Sequence, residues 1–200
     1  MLTVYLLRHG ETTWNADGNR YCGATDVELT PKGRAQALEA GTLLKGISFD
    51  AVYSSPLKRA FDTALIASGK KQSEIVVVPG LREASFGSWE GKTRAEFIAE
   101  DPALWEAWER SPETNRAGGT GSTAIEIATS ADSFFKAACQ KHPGGTILVV
   151  AHNAVNRFYL AYKLGMPLRY YRRIVQENSA ITRFTLDEQY EIALNLLNYR

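Results

Sequence analysis

The stretch Leu2–Asn15, LTVYLLRHGETTWN, decides the reading of this chain. From Leu2 to Leu7 every residue but Thr3 is apolar or aromatic, the pattern of a short buried strand. The run stops abruptly at Arg8-His9-Gly10-Glu11-Thr12. A guanidinium and an imidazole at the end of a buried strand cost free energy unless they face an anion or a satisfied polar partner. Gly10 allows a turn where a Cβ would be costly. Open α/β sheets place their ligands just past the carboxyl ends of the strands. Arg8 and His9 therefore read either as the floor of a site or as a surface pair capping a strand, and the rest of the chain must decide between them.

Working outward, Thr30-Pro31 opens a helix, with Thr30 as N-cap and Pro31 at the first helical position. Ala35, Leu38, Thr42 and Lys45 share one face of it, flanked by Ala37, Gly41 and Leu44, and Gly46 marks its end. Phe49–Tyr53 reads as a second strand, and Ser54-Ser55-Pro56 starts another helix. Lys58 and Arg59 fall in that helix's first turn, where the macrodipole disfavours a cation by roughly 0.3–1 kcal/mol. A bound anion shared by the helix terminus and Arg59 is one resolution of the conflict, and a solvated basic patch is the other; the patch is the better reading for Lys58, and the two stand close for Arg59 until the other residues are added. Ile75–Val78 is a third strand, closed by Pro79-Gly80, and Glu83 follows where a loop feeds the sheet's edge.

Residues 86–122 differ in texture. They carry Trp89, Trp105 and Trp108, together with Pro102, Pro112 and the run Gly118-Gly119-Thr120-Gly121. Two short helices fit, Thr93–Glu100 and Pro102–Arg110, followed by a flexible polar loop. The segment reads as a small helical cap inserted over the carboxyl edge of the sheet, its aromatics forming a mini-core. Ser122–Lys141 is an amphipathic helix with the stripe Ile125, Ala128, Ala131, Phe135, Ala138. Thr146–Ala151, TILVVA, is apolar at almost every position, as in a parallel strand covered on both faces. It ends at His152, so a buried strand twice runs into a histidine. A helix from Asn153 to Leu164, a basic aromatic stretch Arg169–Arg173 and two terminal strands, Ser179–Leu186 and Tyr190–Tyr199, complete the chain. The order predicts a single α/β domain over 1–200. Its architecture is a three-layer sandwich with a mostly parallel central sheet and helices on both faces.

Composition narrows the function. The 200 residues carry a net charge of +1 and 22% charged residues, which suggests neither a nucleic-acid footprint nor an acidic tail. No apolar run approaches the roughly 20 residues of a membrane helix, and Arg8-His9 interrupts the amino-terminal apolar run early. The expectation is a cytoplasmic protein without a membrane partner, its two cysteines, Cys22 and Cys139, reduced. The three histidines leave little for a metal centre, and no nucleotide-loop or zinc motif is present. The sequence does not specify an oligomer; a homodimer is compatible with it.

Gathered at the strand ends, Arg8, His9, Arg59, Glu83 and His152 make an anion pocket with an acid/base. Guanidinium forks suit phosphate oxygens, and a neutral imidazole is a competent nucleophile toward phosphorus. Arg8-His9-Gly10-Glu11-Thr12-Thr13-Trp14-Asn15 resembles the RHGxTxxN signature of the histidine phosphatase superfamily, in its phosphoglycerate mutase-like branch. Tyr21-Cys22-Gly23, Tyr53–Ala60, Leu81–Gly91 and Val149–His152 match further motifs of that family in order. The run Phe86–Gly91 and the compact size are similar to its alpha-ribazole and small-metabolite phosphatases. The resemblance implies that His9 becomes phosphohistidine, that Arg8, Arg59 and His152 hold the phosphoryl oxygens, and that Glu83 is the acid/base. It implies substrate contacts from Asn15, Thr12, Tyr21, Cys22, Gly23, Arg82 and Asn153, and no metal or other cofactor.

Two departures stand out: Asn153 replaces the family's usual Gly after the second histidine, and the Gly118–Ser122 run lacks its usual Glu. The expected activity is metal-independent hydrolysis of a small phosphorylated metabolite. The alternatives are phosphoryl transfer of the mutase type and a non-catalytic phospholigand module, against which the complete residue set argues. Arg82, Arg94, Arg110, Arg116, Trp89 and Tyr21 are the candidates for reading the leaving group.

Overall fold

The computed structural model describes residues 1–200. Its strands are β1 (Leu2–Arg8), β2 (Ala51–Ser54), β3 (Ile75–Val77), β4 (Thr146–Ala151), β5 (Ile181–Leu186) and β6 (Ile192–Tyr199). They form one sheet in the order β3-β2-β4-β1-β5-β6. The β1, β4, β2 and β3 pairings are parallel, and β5 and β6 add antiparallel strands at one side. The helices are α1 (Thr13–Ala16), α2 (Pro31–Leu43), α3 (Lys58–Ser68), α4 (Arg94–Glu100), α5 (Pro102–Arg110), α6 (Ala124–Lys141) and α7 (Asn153–Lys163). This is the expected α/β fold with a mostly parallel sheet. No helix is long and apolar enough to cross a membrane.

The mostly apolar strands β1 and β4 lie at the centre, with side chains buried on both faces. Leu2, Val4, Leu6, Ile147 and Val149 join one buried cluster with α6 and α7, through Ala128, Phe135, Phe158 and Leu160. The alternate residues Leu7, Leu148 and Val150 join a second cluster with Ala40 of α2 and Ala60 and Ala64 of α3. The period-2 alternation of a strand thus hands successive side chains to helices on opposite faces.

Several boundaries and faces differ from the sequence reading. β2 begins at Ala51 rather than Phe49. β3 is an edge strand whose Val76 and Val77 are exposed, so its apolar run is no sign of double burial. Thr30 caps α2 through its side chain as expected. The face with Leu38, however, is the solvent face, and Gly33, Gln36, Ala37 and Ala40 are buried instead. On α6, Ile125 points outward and Ile127 takes its place in the core.

The segment 86–122 is packed rather than loose. Ala117 and Gly118 are buried, and Gly118 lies so near residues 86–88 that a Cβ would stand 2.1 Å from the Phe86 carbonyl oxygen. Its positive φ of 55° is a further reason for glycine there. The aromatics Trp89, Phe97, Trp105 and Trp108 do not form a separate mini-core. They belong to the same cluster as the β1–β4 face, and Trp108 meets Phe158 of α7 edge-on at 6.2 Å.

Candidate active site

Register builds the site. β1 and β4 pair with Arg8 opposite Ala151, and the His9 N–H donates to the Ala151 carbonyl at 3.0 Å. His9 and His152 therefore leave adjacent strands side by side, their ring centroids 5.2 Å apart. β2 pairs with β4 in the same row, and the Ser55 N–H donates to the Val150 carbonyl at 3.0 Å. Ser55 Oγ then lies 2.7 Å from His152 Nε2.

His9 is almost fully buried, and its Nδ1 is 2.7 Å from the Gly10 carbonyl oxygen. A carbonyl can only accept, so Nδ1 carries the proton and Nε2 of the neutral ring keeps its lone pair. Burial, then the Arg59 and Arg8 guanidinium groups, hold the His9 pKa well below the ordinary imidazole value. The ring is thus unprotonated and nucleophilic near neutrality. Burial, Arg59 and His9 act in the same direction on His152.

Gly10 has an ordinary φ, and the need for glycine there is one of space. A Cβ on Gly10 would stand 2.3 Å from the Gly33 carbonyl oxygen of α2. The Gly10 N–H donates to Thr63 Oγ1 of α3 at 3.0 Å, so both helices of this face hold the turn after His9.

Arg59 is fully buried in the first turn of α3. Its Nη1 and Nη2 donate to the Thr25 and Gly23 carbonyls at 2.8 and 2.7 Å. The anion expected at this helix terminus is the protein's own: the Lys58 N–H donates to both carboxylate oxygens of Asp26, at 3.0 and 3.2 Å. The Lys58 side chain turns outward to Asp62 at 2.5 Å. Arg8 donates through Nη1 to the Gln176 carbonyl at 2.9 Å, and burial lowers its pKa to about 10. Arg8 Nε, Arg59 Nε and His152 Nδ1 are all buried with no hydrogen-bond partner.

Glu83 follows the 3-10 turn Pro79–Leu81 and caps α7. Its carboxylate accepts from the Ala84, Ala154 and Val155 N–H groups at 3.0, 3.2 and 3.3 Å. Burial nevertheless raises its pKa, against the opposing pull of Arg59 and these donors. A carboxyl whose pKa burial raises, on the same cavity as an imidazole whose pKa is lowered, is the pairing that acid-assisted group transfer needs.

A cavity opens in front of this row. Arg8, His9, Glu83, Asn15, Tyr21, Cys22 and Asn153 line it. Arg59 and His152 lie behind, fully buried. Thr12 is also fully buried and serves as the N-cap of α1, in a reciprocal capping box with Asn15. Asn15 Oδ1 accepts from Thr12 N, Thr12 Oγ1 and Asn178 Nδ2, and its Nδ2 donates to Asn19 Oδ1 at 3.2 Å, which leaves one Nδ2 hydrogen for a ligand. Gly23 is buried and contributes its carbonyl to Arg59, and Arg82 reaches the Ala24 carbonyl rather than the cavity.

Among the other residues considered for the leaving group, Arg94 and Arg116 pair with Glu109 and Glu126. Trp89 is buried in the core, and Arg110 does not line the cavity. The sequence reading missed Arg157, Tyr171 and Arg172, which do. Arg157 stands four residues after Asn153 on α7, on the same helical face, and that spacing was a usable signal. Arg172 sits in the 3-10 segment Leu168–Arg173, whose pattern points nowhere in particular.

Several known proteins are similar to this chain. The chain is 36% identical over 176 residues to the 2-carboxy-D-arabinitol-1-phosphatase of Triticum aestivum, covering 88% of this chain and 35% of that protein. It thus spans about a third of the length of that plant relative. It is 34% identical over 170 residues to the adenosylcobalamin/alpha-ribazole phosphatase of Escherichia coli K12, covering 83% of this chain and 81% of that one. A phosphoserine phosphatase of Entamoeba histolytica, crystallised as a mutant with phosphoserine, superposes with a TM-score of 0.89 at 31% identity, over 99% of this chain and 97% of that one. The family model for branch 1 of the histidine phosphatase superfamily matches residues 4–199, and the chain belongs to that family.

Proposed function

We propose that this chain is a metal-independent phosphomonoesterase that hydrolyses a small phosphorylated metabolite through a phosphohistidine at His9. The observation that carries this reading is the set of buried polar atoms without partners, Arg8 Nε, Arg59 Nε and His152 Nδ1, around an imidazole whose lone pair is on Nε2. Buried polar groups without partners cost about 1–3 kcal/mol each. A phosphoryl group with three peripheral oxygens satisfies both guanidinium N–H groups and, with the His152 proton on Nδ1, that ring as well.

His9 Nε2 attacks phosphorus, forming the N–P bond as the ester P–O bond breaks. The Glu83 carboxyl gives its proton to the departing oxygen. The resulting carboxylate then takes a proton from water, whose oxygen attacks phosphorus and displaces His9, releasing phosphate. Arg8 and Arg59 supply the positive charge that offsets the phosphoryl oxygens throughout. His152, held by Ser55, is the third group against them. Asn15 Nδ2, Tyr21, Cys22 and Asn153 face the ester from the cavity wall. Thr12, Gly23 and Arg82 act one layer further out, by shaping the loops. The relatives named above, two metabolite phosphatases and a phosphoserine phosphatase, fit this substrate class. We read residues 1–200 as one such domain with 86–122 as its insertion. The two free cysteines suit a cytoplasmic setting.

Rapid quench with a labelled phosphate monoester tests the proposal. Acid-labile, base-stable label should appear on the wild-type chain and be absent from His9→Ala, with free phosphate as product and no effect of a chelator. Label passing to a second hydroxyl instead of water would make the chain a mutase. Undiminished turnover by His9→Ala would refute the covalent route.

A further inference from the structure

Beyond the phosphoryl cradle, the cavity wall holds two cations with no carboxylate partner. Arg157 of α7 is anchored by its Nε, which donates to the Ile174 carbonyl at 2.6 Å, and its two terminal nitrogens make no hydrogen bond to the protein. Arg172 donates through Nη2 to the Tyr21 hydroxyl at 2.8 Å. Its guanidinium is sandwiched against the Trp105 and Tyr171 rings, 4.7 and 5.1 Å from their centroids.

Neither arginine takes part in any ion pair of the chain. Arg20, on the same wall, is neutralised by Asp17 and Glu96 at 2.7 Å each. The only carboxylate on the wall is Glu83, which is committed to the start of α7. Burial and the neighbouring charge of Arg172 both lower the Arg157 pKa. Two part-buried guanidinium groups that repel one another, each fixed in place by a carbonyl, a hydroxyl or a ring, form a rigid fork prepared for an anion.

We propose that the leaving group of the substrate carries a second anionic group, a carboxylate or a further phosphoryl group, which binds between Arg157 and Arg172 while the ester phosphate lies at His9. The inference rests on the phosphomonoesterase reading and deepens it: Arg8 and Arg59 select the phosphate, and Arg157 and Arg172 select what it is attached to. A neutral alcohol phosphate of the same size leaves the outer pair unanswered.

The experiment compares kcat/KM within matched pairs of esters. 3-Phosphoglycerate is set against glycerol 3-phosphate, which replaces the carboxylate with a hydroxymethyl group. Fructose 1,6-bisphosphate is set against fructose 6-phosphate. The wild-type chain should prefer the doubly anionic member of one pair by roughly tenfold or more, and the pair with the larger ratio names the second anion. That ratio should shrink toward one in Arg172→Gln and in Arg157→Gln. Arg157→Lys, which keeps the charge but loses the fork, should fall between. Arg172→Gln leaves the Ile174 anchor intact, so the test survives if Arg157→Gln fails to fold. A wild-type ratio near one in both pairs, or a ratio unmoved in both glutamine variants, overturns the inference while p-nitrophenyl phosphate turnover still upholds the phosphomonoesterase. A chain that neither turns over p-nitrophenyl phosphate nor forms phosphohistidine overturns both.

Discussion

Gly33→Ala should both destabilise the protein and slow it, although the substitution falls inside a helix. In an exposed helix interior, glycine to alanine gains about 1 kcal/mol. Here an alanine Cβ would stand 2.0 Å from the Glu11 carbonyl oxygen and 2.7 Å from the Glu11 nitrogen. Both are backbone atoms, so no side-chain rotation relieves the overlap, and α2 and the 9–11 turn must separate by more than about 1 Å. Overpacking of this kind costs about 1–3 kcal/mol. The Thr30 N–H bond to the Glu11 carbonyl, 2.9 Å, is strained with it, at about 1 kcal/mol. Net of the propensity gain, the loss is about 1–3 kcal/mol, or roughly 2–12 °C in Tm for a chain of this size.

The same separation moves Gly10, whose carbonyl fixes the His9 tautomer. A displacement of about 1 Å at a reacting group costs about 10²-fold in rate. Thermal melts and the rate of phosphoenzyme formation measure the two effects. A raised Tm, or a lowered Tm with phosphoenzyme formation unchanged, would refute the argument that this glycine contact sets the position of His9.

The pH profile has its own signature. His9 must be neutral to attack and its pKa is lowered, whereas Glu83 must be protonated to donate and its pKa is raised. Activity should therefore rise with pH through the depressed imidazole pKa and fall with pH through the elevated carboxyl pKa. Glu83→Gln should cost about 10²–10⁴ in kcat and abolish the alkaline limb in kcat/KM profiles; a limb that survives would assign it to another group. Asp26→Ala removes the carboxylate at the start of α3 and should cost about 0.5–2 kcal/mol in denaturant titrations. An unchanged midpoint would mean that water replaces the carboxylate without loss.

Where the sequence carried local chemistry, the structure follows it closely. The apolar runs ending in Arg8-His9 and Ala151-His152 named the central strands, because burial on both faces leaves no room for alternation. Thr30-Pro31 named a helix start for equally local reasons. What escaped depends on distant partners. The cations in the first turn of α3 raised the reading of an anion at that terminus, yet nothing near them in sequence shows that Asp26, 32 residues before Lys58, supplies it. Edge position made β3 half-exposed despite its valines, since strand order is a property of the whole sheet. Thr12 and Gly23 belong to the same stretches as the cavity residues Asn15 and Cys22, but Thr12 is buried as a helix cap and Gly23 gives its carbonyl to Arg59, and spacing alone does not reveal those roles. Arg172 owes its place to a stack on Trp105, 67 positions away in the numbering.

Because Trp89, Phe97, Trp105 and Trp108 share their burial with the central strands, residues 86–122 are bolted to the frame. Swinging them aside would expose several large rings to water, each worth about 1.5–3 kcal/mol of transfer free energy. A segment anchored in this way keeps its one contribution to the pocket wall, Phe86, in place against the Tyr21 ring, 4.8 Å away.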